Sequence, residues 1–140
     1  MIVMLKKQLK KQLKNNKGFT LAELLIVVAI IAILVAISVP VFTSKLEESR
    51  VATDKANMRA AKSVAITEYL SSQKITAETS YYFNADTGKL QANKTGIEAY
   101  GQSSKAIPGA TAEPKGKVLE VTVTTTGDVT LTWIAPDKSE

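Results

Sequence analysis

The most unusual residue of the sequence is an acid inside its longest apolar stretch. Residues 19–42 contain a single charged side chain, that of Glu23. A charged side chain costs on the order of 2–3 kcal/mol at the centre of a bilayer and less near its interface. Charges inside a membrane usually face a partner, so we predict that Glu23 meets a positive group at the same depth on another chain.

The sequence lacks the side chains on which most catalytic sites depend. With no cysteine and no histidine, the chain cannot form a disulfide, a thiolate metal site, a cysteine nucleophile or a histidine base. It contains no Gly-rich phosphate loop, catalytic triad or zinc-ligand spacing. Asp86 and Asp128 are too few and too scattered for a calcium site. We therefore predict no enzymatic activity, no metal and no cofactor.

Basic charge is concentrated at the N-terminus. The formal net charge is +5, but residues 1–18 hold six of the 18 basic side chains and none of the 13 acids. The remaining sequence therefore has a small excess of acid, and its lysines are dispersed among acidic residues. A nucleic-acid partner has only weak support from this distribution.

A basic region followed by a long apolar run is typical of targeting and membrane segments. At about 1.5 Å per residue, a helix over residues 19–42 is roughly 36 Å long, which is enough to cross a bilayer. No lysine or arginine follows the basic region until Lys45, which predicts a cytoplasmic N-terminus and an extracytoplasmic location after Lys45. Composition leaves three interpretations open: a secretory signal peptide cut near Ala36-Ile37-Ser38, a simple membrane anchor, or a processed anchor that packs against copies of itself.

Residues 17–23, which read Lys-Gly-Phe-Thr-Leu-Ala-Glu, closely resemble the prepilin signature of type IV pilins and pseudopilins. The resemblance implies that a prepilin peptidase removes a basic leader, residues 1–18, by cutting between Gly18 and Phe19. It also implies that Phe19 is N-methylated, and that Glu23 is the acid found five residues into the mature chain.

The resemblance extends to about Phe42 and has two departures. Pro40 lies where many pilins also have a proline. Ala22 stands where isoleucine or valine is commoner, and Ala60 stands where many pilins have a second proline.

The resemblance gives the Glu23 carboxylate a partner. Cleavage creates a cationic amine on Phe19, and in the family the acid of one subunit approaches this amine on a neighbour. Removing one member of a buried ion pair costs about 3–5 kcal/mol, because the other charge is left without a partner. The pair would fix the register of the filament, since one axial stagger satisfies both charges.

The implied function is that of a structural subunit of a type IV pilus, which leaves the cytoplasmic membrane for the cell surface. The implied partners are further copies of the chain, the prepilin peptidase and methyltransferase, the inner-membrane assembly machinery and, before assembly, the membrane. Adhesion, motility and DNA uptake are roles that the family includes. Two alternatives stay open: a pseudopilin of a type II secretion or competence apparatus, and a monomeric signal-anchored extracellular binding domain.

The elements that must position these groups form a predicted α+β protein, with a long N-terminal helix packed against a small C-terminal antiparallel sheet. We predict one helix from Thr20 to Ser72, bent or locally opened at Pro40, which has no N–H to donate. The alternative is two helices broken at this proline. The predicted organisation is a leader at 1–18, an apolar assembly helix at 19–42 and an extracellular head at 43–140, made of a helix 43–72, a variable loop region 73–116 and a hairpin 117–135.

The head core is predicted from periodicity. The outer half of the helix is amphipathic, with an apolar stripe formed by Met58, Ala61, Ala65 and Tyr69. The opposite, charged face is predicted to comprise Glu47, Arg50, Asp54, Lys55 and Lys62. Alternating β-branched runs predict a hairpin whose inner face comprises Leu119, Val121, Val123, Val129, Leu131 and Trp133.

The middle region gives weaker signals. Tyr81–Phe83 and Lys89–Gln91 are candidate strands on either side of a turn that contains Gly88. A single helical turn is a further candidate over Ile97–Tyr100.

Overall fold

The computed structural model describes residues 1–14, 18–72 and 76–137. It contains two helices, α1 (Ile2–Lys14) and α2 (Leu21–Ser71), and four strands, β1 (Thr79–Asn84), β2 (Lys89–Gln91), β3 (Val118–Val123) and β4 (Val129–Ile134). The chain divides into two compact units, Met1–Phe42 and Thr43–Glu140. Helix α2 packs against the four-stranded antiparallel sheet, so the predicted α+β class is confirmed.

The long helix is continuous through its internal proline. Helix α2 spans 51 residues and includes Pro40, so the alternative of two helices broken at this position is wrong. Near the proline, the Ser38 hydroxyl donates a hydrogen bond to the Leu34 carbonyl at 2.7 Å. The absence of glycine from the whole span favours an unbroken helix, because glycine is among the least favourable residues in a helix interior.

The sheet has the order β2-β1-β3-β4, and all of its neighbours are antiparallel. The candidate strand Tyr81–Phe83 lies within β1, and Lys89–Gln91 is β2. Strand β3 is central and pairs with β1 through Tyr81 opposite Val121. It pairs with β4 through Val121 opposite Leu131, which makes the predicted hairpin.

The tip of the β3–β4 hairpin lies against the helix. Gly127 occupies the turn with a φ of 88°, a conformation that favours glycine. A Cβ at this position would lie 2.8 Å from Cε1 of Tyr69. The Tyr69 hydroxyl donates a hydrogen bond to the Thr125 carbonyl at 3.2 Å. The end of α2 and the turn therefore hold each other in place.

The core of the second unit lies between α2 and the sheet. It contains Met58, Ala61, Ala65, Phe83, Ile107, Leu119, Val121, Val123, Leu131 and Trp133, with Tyr69 and Val129 partly buried at its edge. Tyr100 reaches into this core from the β2–β3 connection, and its hydroxyl donates to the Phe83 carbonyl and accepts from the Leu119 amide at 2.9 and 3.0 Å. Burial raises the pKa of Tyr100.

The connection between β2 and β3 contributes to the core and covers the sheet edge. Residues 97–100 are not helical, so the candidate turn of helix there is wrong; the amide of Tyr100 instead donates to the Lys117 carbonyl at 3.2 Å. Ile97 and Ile107 are buried. Further along, Thr111 exchanges backbone hydrogen bonds of 2.9 Å with Leu131 and Trp133, which satisfies part of the free edge of β4.

Candidate processing and assembly site

The first turn of α2 is closed by a reciprocal pair of hydrogen bonds between Thr20 and Glu23. The Thr20 amide donates to Oε2 of Glu23 at 2.8 Å, and the Glu23 amide donates to Oγ1 of Thr20 at 3.3 Å. The Thr20 carbonyl accepts the first helical bond, from the Leu24 amide at 3.1 Å. This is a capping box, in which an N-cap threonine and an acid three residues later satisfy two amides that the helix leaves free.

The capping box gives Glu23 a partner within its own chain. Sequence reasoning considered only a positive group on another chain, and it passed over Thr20. The signal that would have found Thr20 is the spacing of a threonine and a glutamate three residues apart before an apolar run.

The junction between Gly18 and Phe19 lies immediately before the capped turn and is open to solvent. Phe19 is 82% exposed. A Cβ on Gly18 would meet no described atom within 4 Å, and Gly18 is not among the glycines with positive φ. The fold of the described chain therefore does not require glycine at this position.

Gly18, Phe19, Thr20 and Glu23 share one open surface depression. Ile26 and Val27, one turn further along α2, complete its lining. The three residues predicted to act in processing and charge pairing, Gly18, Phe19 and Glu23, are thus neighbours in space, with Thr20 as the addition that the structure makes.

The apolar half of α2 is uncovered. By length and composition, α2 is the one helix of the described residues that could cross a membrane, and none of its most apolar stretch is buried inside the molecule. The large apolar side chains exposed in this half are Leu21, Leu24, Leu25, Ile26, Val27, Val28, Ile30, Ile31, Ile33, Leu34, Val35, Ile37, Val39, Val41 and Phe42. Exposure of such a large apolar surface to water is unfavourable, so we expect lipid or other helices to cover it.

A second polar arrangement, which we call the carboxylate clasp, lies in the head. It consists of Glu47 and Asp54, seven residues apart and so on one face of α2, together with the loop Gln102–Ser104. Asp54 accepts from the amides of Gln102 and Ser103 at 2.6–3.1 Å. Glu47 accepts from the Ser104 amide at 2.9 Å and from the Ser103 hydroxyl at 3.0 Å.

The carboxylate clasp overturns one prediction from the sequence. Asp54 was predicted to lie on the solvated face of the helix, but it is fully buried. The reason is that its carboxylate accepts hydrogen bonds from the amides of Gln102 and Ser103. An amide that loses contact with water where the loop packs on α2 needs another acceptor. The hydrogen bond from the Ser104 amide is the main cause that lowers the pKa of Glu47, with smaller contributions from the Ser103 hydroxyl and Arg50.

The residues predicted to form the head core fall into two groups. Met58, Ala61, Ala65, Leu119, Val121, Val123, Leu131 and Trp133 are buried together, whereas Tyr69 and Val129 are partly exposed. Phe83, Ile97, Ile107 and Val118 are buried as well and were not among the predicted core residues. Three of these four lie in or beside segments whose sequence has no clear periodicity, which is why pattern reasoning passed over them.

Comparison with known protein families places a named motif on the N-terminal region. Residues 13–39, which are 27 of the 140 residues, match the family described as the prokaryotic N-terminal methylation motif. The match includes the Gly18–Phe19 junction, the capping box and most of the apolar half of α2. The comparisons with curated proteins and with solved structures found no match.

The motif and the uncovered apolar helix define the chain as a prepilin-like protein. An N-terminal methylation motif of this kind is typical of the prepilins of type IV pilins and pseudopilins, which are structural proteins and not enzymes. It implies processing by a prepilin peptidase, a location in the inner membrane and later assembly into an extracellular filament.

Proposed function

We propose that this chain is the precursor of a type IV pilus subunit, cut between Gly18 and Phe19 and N-methylated on Phe19. The observation that supports this most strongly is the position of an exposed Gly-Phe junction directly before a capped apolar helix. The capping box lies wholly on the mature side of the cut, so cleavage frees an amine without removing the groups that close the helix end.

The free amine and the acid then become available for pairing between subunits. In the part of the chain that the structure describes, hydrogen bonds to the Glu23 carboxylate involve Oε2 alone. Oε1 can therefore accept from the Phe19 amine of a neighbour while Oε2 keeps the helix capped. In this proposal the ion pair sets the axial stagger of the subunits.

Assembly moves the apolar half of α2 from lipid into a bundle of identical helices. Hydrophobic burial contributes little to this step, because the helix passes from one apolar medium to another. Packing between helices and the Glu23–Phe19 pair favour the bundle, and the assembly machinery of the inner membrane supplies the direction. The head, residues 43–140, remains on the outside of the filament in this arrangement.

The decisive experiment is the intact mass of the protein sheared from cells that express the full chain. We expect a mature N-terminus at Phe19 that carries one methyl group. A protein that keeps its lysine-rich leader would contradict the proposal. A start near Val39 would instead indicate plain secretion of a single binding domain.

Electron microscopy of the same cells separates the pilus subunit from a pseudopilin of a secretion or competence apparatus. Long surface fibres that bind an antibody against the head are expected of the pilus subunit. A methylated Phe19 without such fibres would favour the pseudopilin.

A further inference from the structure

Helix α1 has one apolar stripe, and after its first turn most of the side chains off this stripe are lysines. Ile2, Leu5 and Leu9 follow the i, i+3, i+7 spacing that places side chains on one side of a helix, and each is more than half exposed. Lysines 6, 7, 10 and 11 lie beside this stripe or opposite it. The first turn is apolar all round, because residues 1–5 contain no polar side chain.

The charges of α1 have no balancing acid within the helix. Residues 1–14 contain no aspartate or glutamate. Lys6 and Lys10, and likewise Lys7 and Lys11, are four residues apart, so their like charges repel across one helical turn. A helix of 13 residues is marginally stable in water by itself, so α1 needs a partner that covers its stripe and neutralises its lysines.

An anionic membrane surface meets both needs. Helices with a lysine-rich polar face lie in the interface of a bilayer, with their apolar face in the boundary between headgroups and acyl chains. Basic residues near the membrane are attracted by the anionic lipids of the cytoplasmic leaflet.

The chain also keeps α1 close to a bilayer. Six residues, 15–20, separate the end of α1 from the start of α2, whose apolar half could cross a membrane. Even fully extended, six residues span only roughly 20 Å. The C-terminal end of α1 therefore lies within reach of the surface of a membrane that holds α2.

We propose that α1 is an interfacial membrane helix, with its stripe of Ile2, Leu5 and Leu9 in the bilayer and its lysines on anionic phospholipid headgroups. It would thereby hold the Gly18–Phe19 junction at the level of the membrane surface before the cut. This second statement rests on the proposed function, whereas the binding of α1 to lipid does not.

The test uses the full-length chain, which has no native cysteine and so accepts a single spin label. Leu9→Cys places the nitroxide on the stripe, and Lys7→Cys places a control label near the opposite side of α1. Each labelled protein is reconstituted into vesicles of phosphatidylglycerol and phosphatidylcholine, and into vesicles of phosphatidylcholine alone. Collision of the label with oxygen, which concentrates in lipid, is compared with collision with a water-soluble nickel complex.

In the anionic vesicles we expect the Leu9→Cys label to collide several-fold more with oxygen than with nickel, and the Lys7→Cys label to show the reverse. In phosphatidylcholine alone the difference should shrink or disappear. Equal nickel access for both labels in anionic vesicles would overturn the proposal. Spin–spin broadening at Leu9→Cys would overturn it too, because α1 would then pack on a second copy.

The mass of the mature N-terminus is recorded separately on cells that express the unlabelled chain. A chain that is cut at Phe19 but whose spin labels do not lie in the membrane interface would support the proposed function and contradict the membrane role of α1. A chain that stays uncut but whose labels lie in the interface would support the role of α1 and contradict the proposed function.

Discussion

At the scale of single residues, Glu23 is bonded to its own chain and is also the proposed partner of a neighbouring subunit. These two roles require different chemistry. The capping box needs an acceptor oxygen three residues after Thr20, which glutamine also supplies. The ion pair with the Phe19 amine needs a negative charge, which glutamine lacks.

Substitution separates the two roles. We predict that Glu23→Gln and Glu23→Ala both lose most filament assembly, measured as sheared pilin per cell, because both lack the charge. Thr20→Ala is the matched control, since it weakens the cap by about 0.5–2 kcal/mol and keeps the charge. It should assemble at a moderately reduced yield. If Glu23→Gln assembled as well as the wild type, the role of Glu23 in assembly would be helix capping and not the ion pair with Phe19.

Among the buried polar residues, Asp54 is the one whose substitution should lower the free energy of unfolding the most. Its carboxylate accepts hydrogen bonds from the amides of Gln102 and Ser103, and it is completely shielded from solvent. Asp54→Ala leaves the amides of Gln102 and Ser103, the second of which is buried, without their acceptor. We therefore predict a loss of roughly 2–4 kcal/mol in the free energy of unfolding. Asp54→Asn keeps one acceptor oxygen and should lose less.

The measurement is denaturant unfolding in detergent, followed by the fluorescence of Trp133, the single tryptophan and a buried one. The neighbouring Lys55→Ala, at an exposed position, is the control and should change stability little. An Asp54→Ala variant as stable as that control would contradict the role assigned to the carboxylate clasp.

At the scale of elements, the carboxylate clasp makes the attachment of the Gln102–Ser104 loop sensitive to acid. The pKa of Glu47 in the folded chain lies below its ordinary value of 4.5. Its contribution to stability is therefore complete above pH 4.5 and is lost as the pH falls through the lower, folded-state pKa. We predict that the protection factor of the Ser104 amide, which is its intrinsic exchange rate at each pH divided by the observed rate, falls in this acidic window. Glu47→Gln should remove this acid dependence, and an unchanged pH profile in the variant would contradict the prediction.

The contact between the hairpin tip and α2 can be measured with two glycines of similar backbone conformation. Gly127 and Gly88 both have positive φ, but only Gly127 has a neighbour, the ring of Tyr69, in the space that a Cβ would occupy. Gly88→Ala therefore measures backbone strain alone, about 1 kcal/mol. We predict a larger loss for Gly127→Ala, by about 1–3 kcal/mol, from unfolding followed by Trp133 fluorescence. Equal losses would show that Tyr69 moves aside without cost.

At the scale of the whole molecule, the buried core belongs to one of the two units. Among the residues that the structure describes, the buried core cluster runs from Met58 to Trp133 and includes none from Met1–Phe42. We therefore predict that residues 43–140 fold alone in water, with a cooperative unfolding transition and the buried Trp133 emission of the full chain. The full chain should need detergent or vesicles, because its exposed apolar helix is retained. A fragment that gave a solvent-exposed tryptophan spectrum would contradict this.

Under the proposed function, this division lets one chain combine a membrane-spanning helix with a head that faces water. The apolar half of α2 is not covered by the described chain, and in the proposal lipid or other subunits cover it. The second half is covered by its own sheet through Met58, Ala61 and Ala65. A small head without disulfides depends on that cover, because it has no covalent link to replace it.

The sequence by itself determined the features that depend on neighbours along the chain. The single long helix follows from an apolar and then amphipathic pattern without glycine, and the β3–β4 hairpin follows from alternation on either side of Gly127. The prepilin signature is likewise local, since the residues from Lys17 to Glu23 are contiguous.

Only the tertiary structure decided the features that depend on residues far apart in the sequence. Asp54 is buried because amides 48 and 49 residues away need its carboxylate, and no local periodicity encodes that meeting. Strand β1 lies between β2 and β3 because the long connection after β2 returns the chain to the opposite edge of β1. Local patterns determine which face of an element is apolar. The pairing of distant groups depends on the whole fold, because only one arrangement of the elements satisfies their hydrogen bonds and also fills the core.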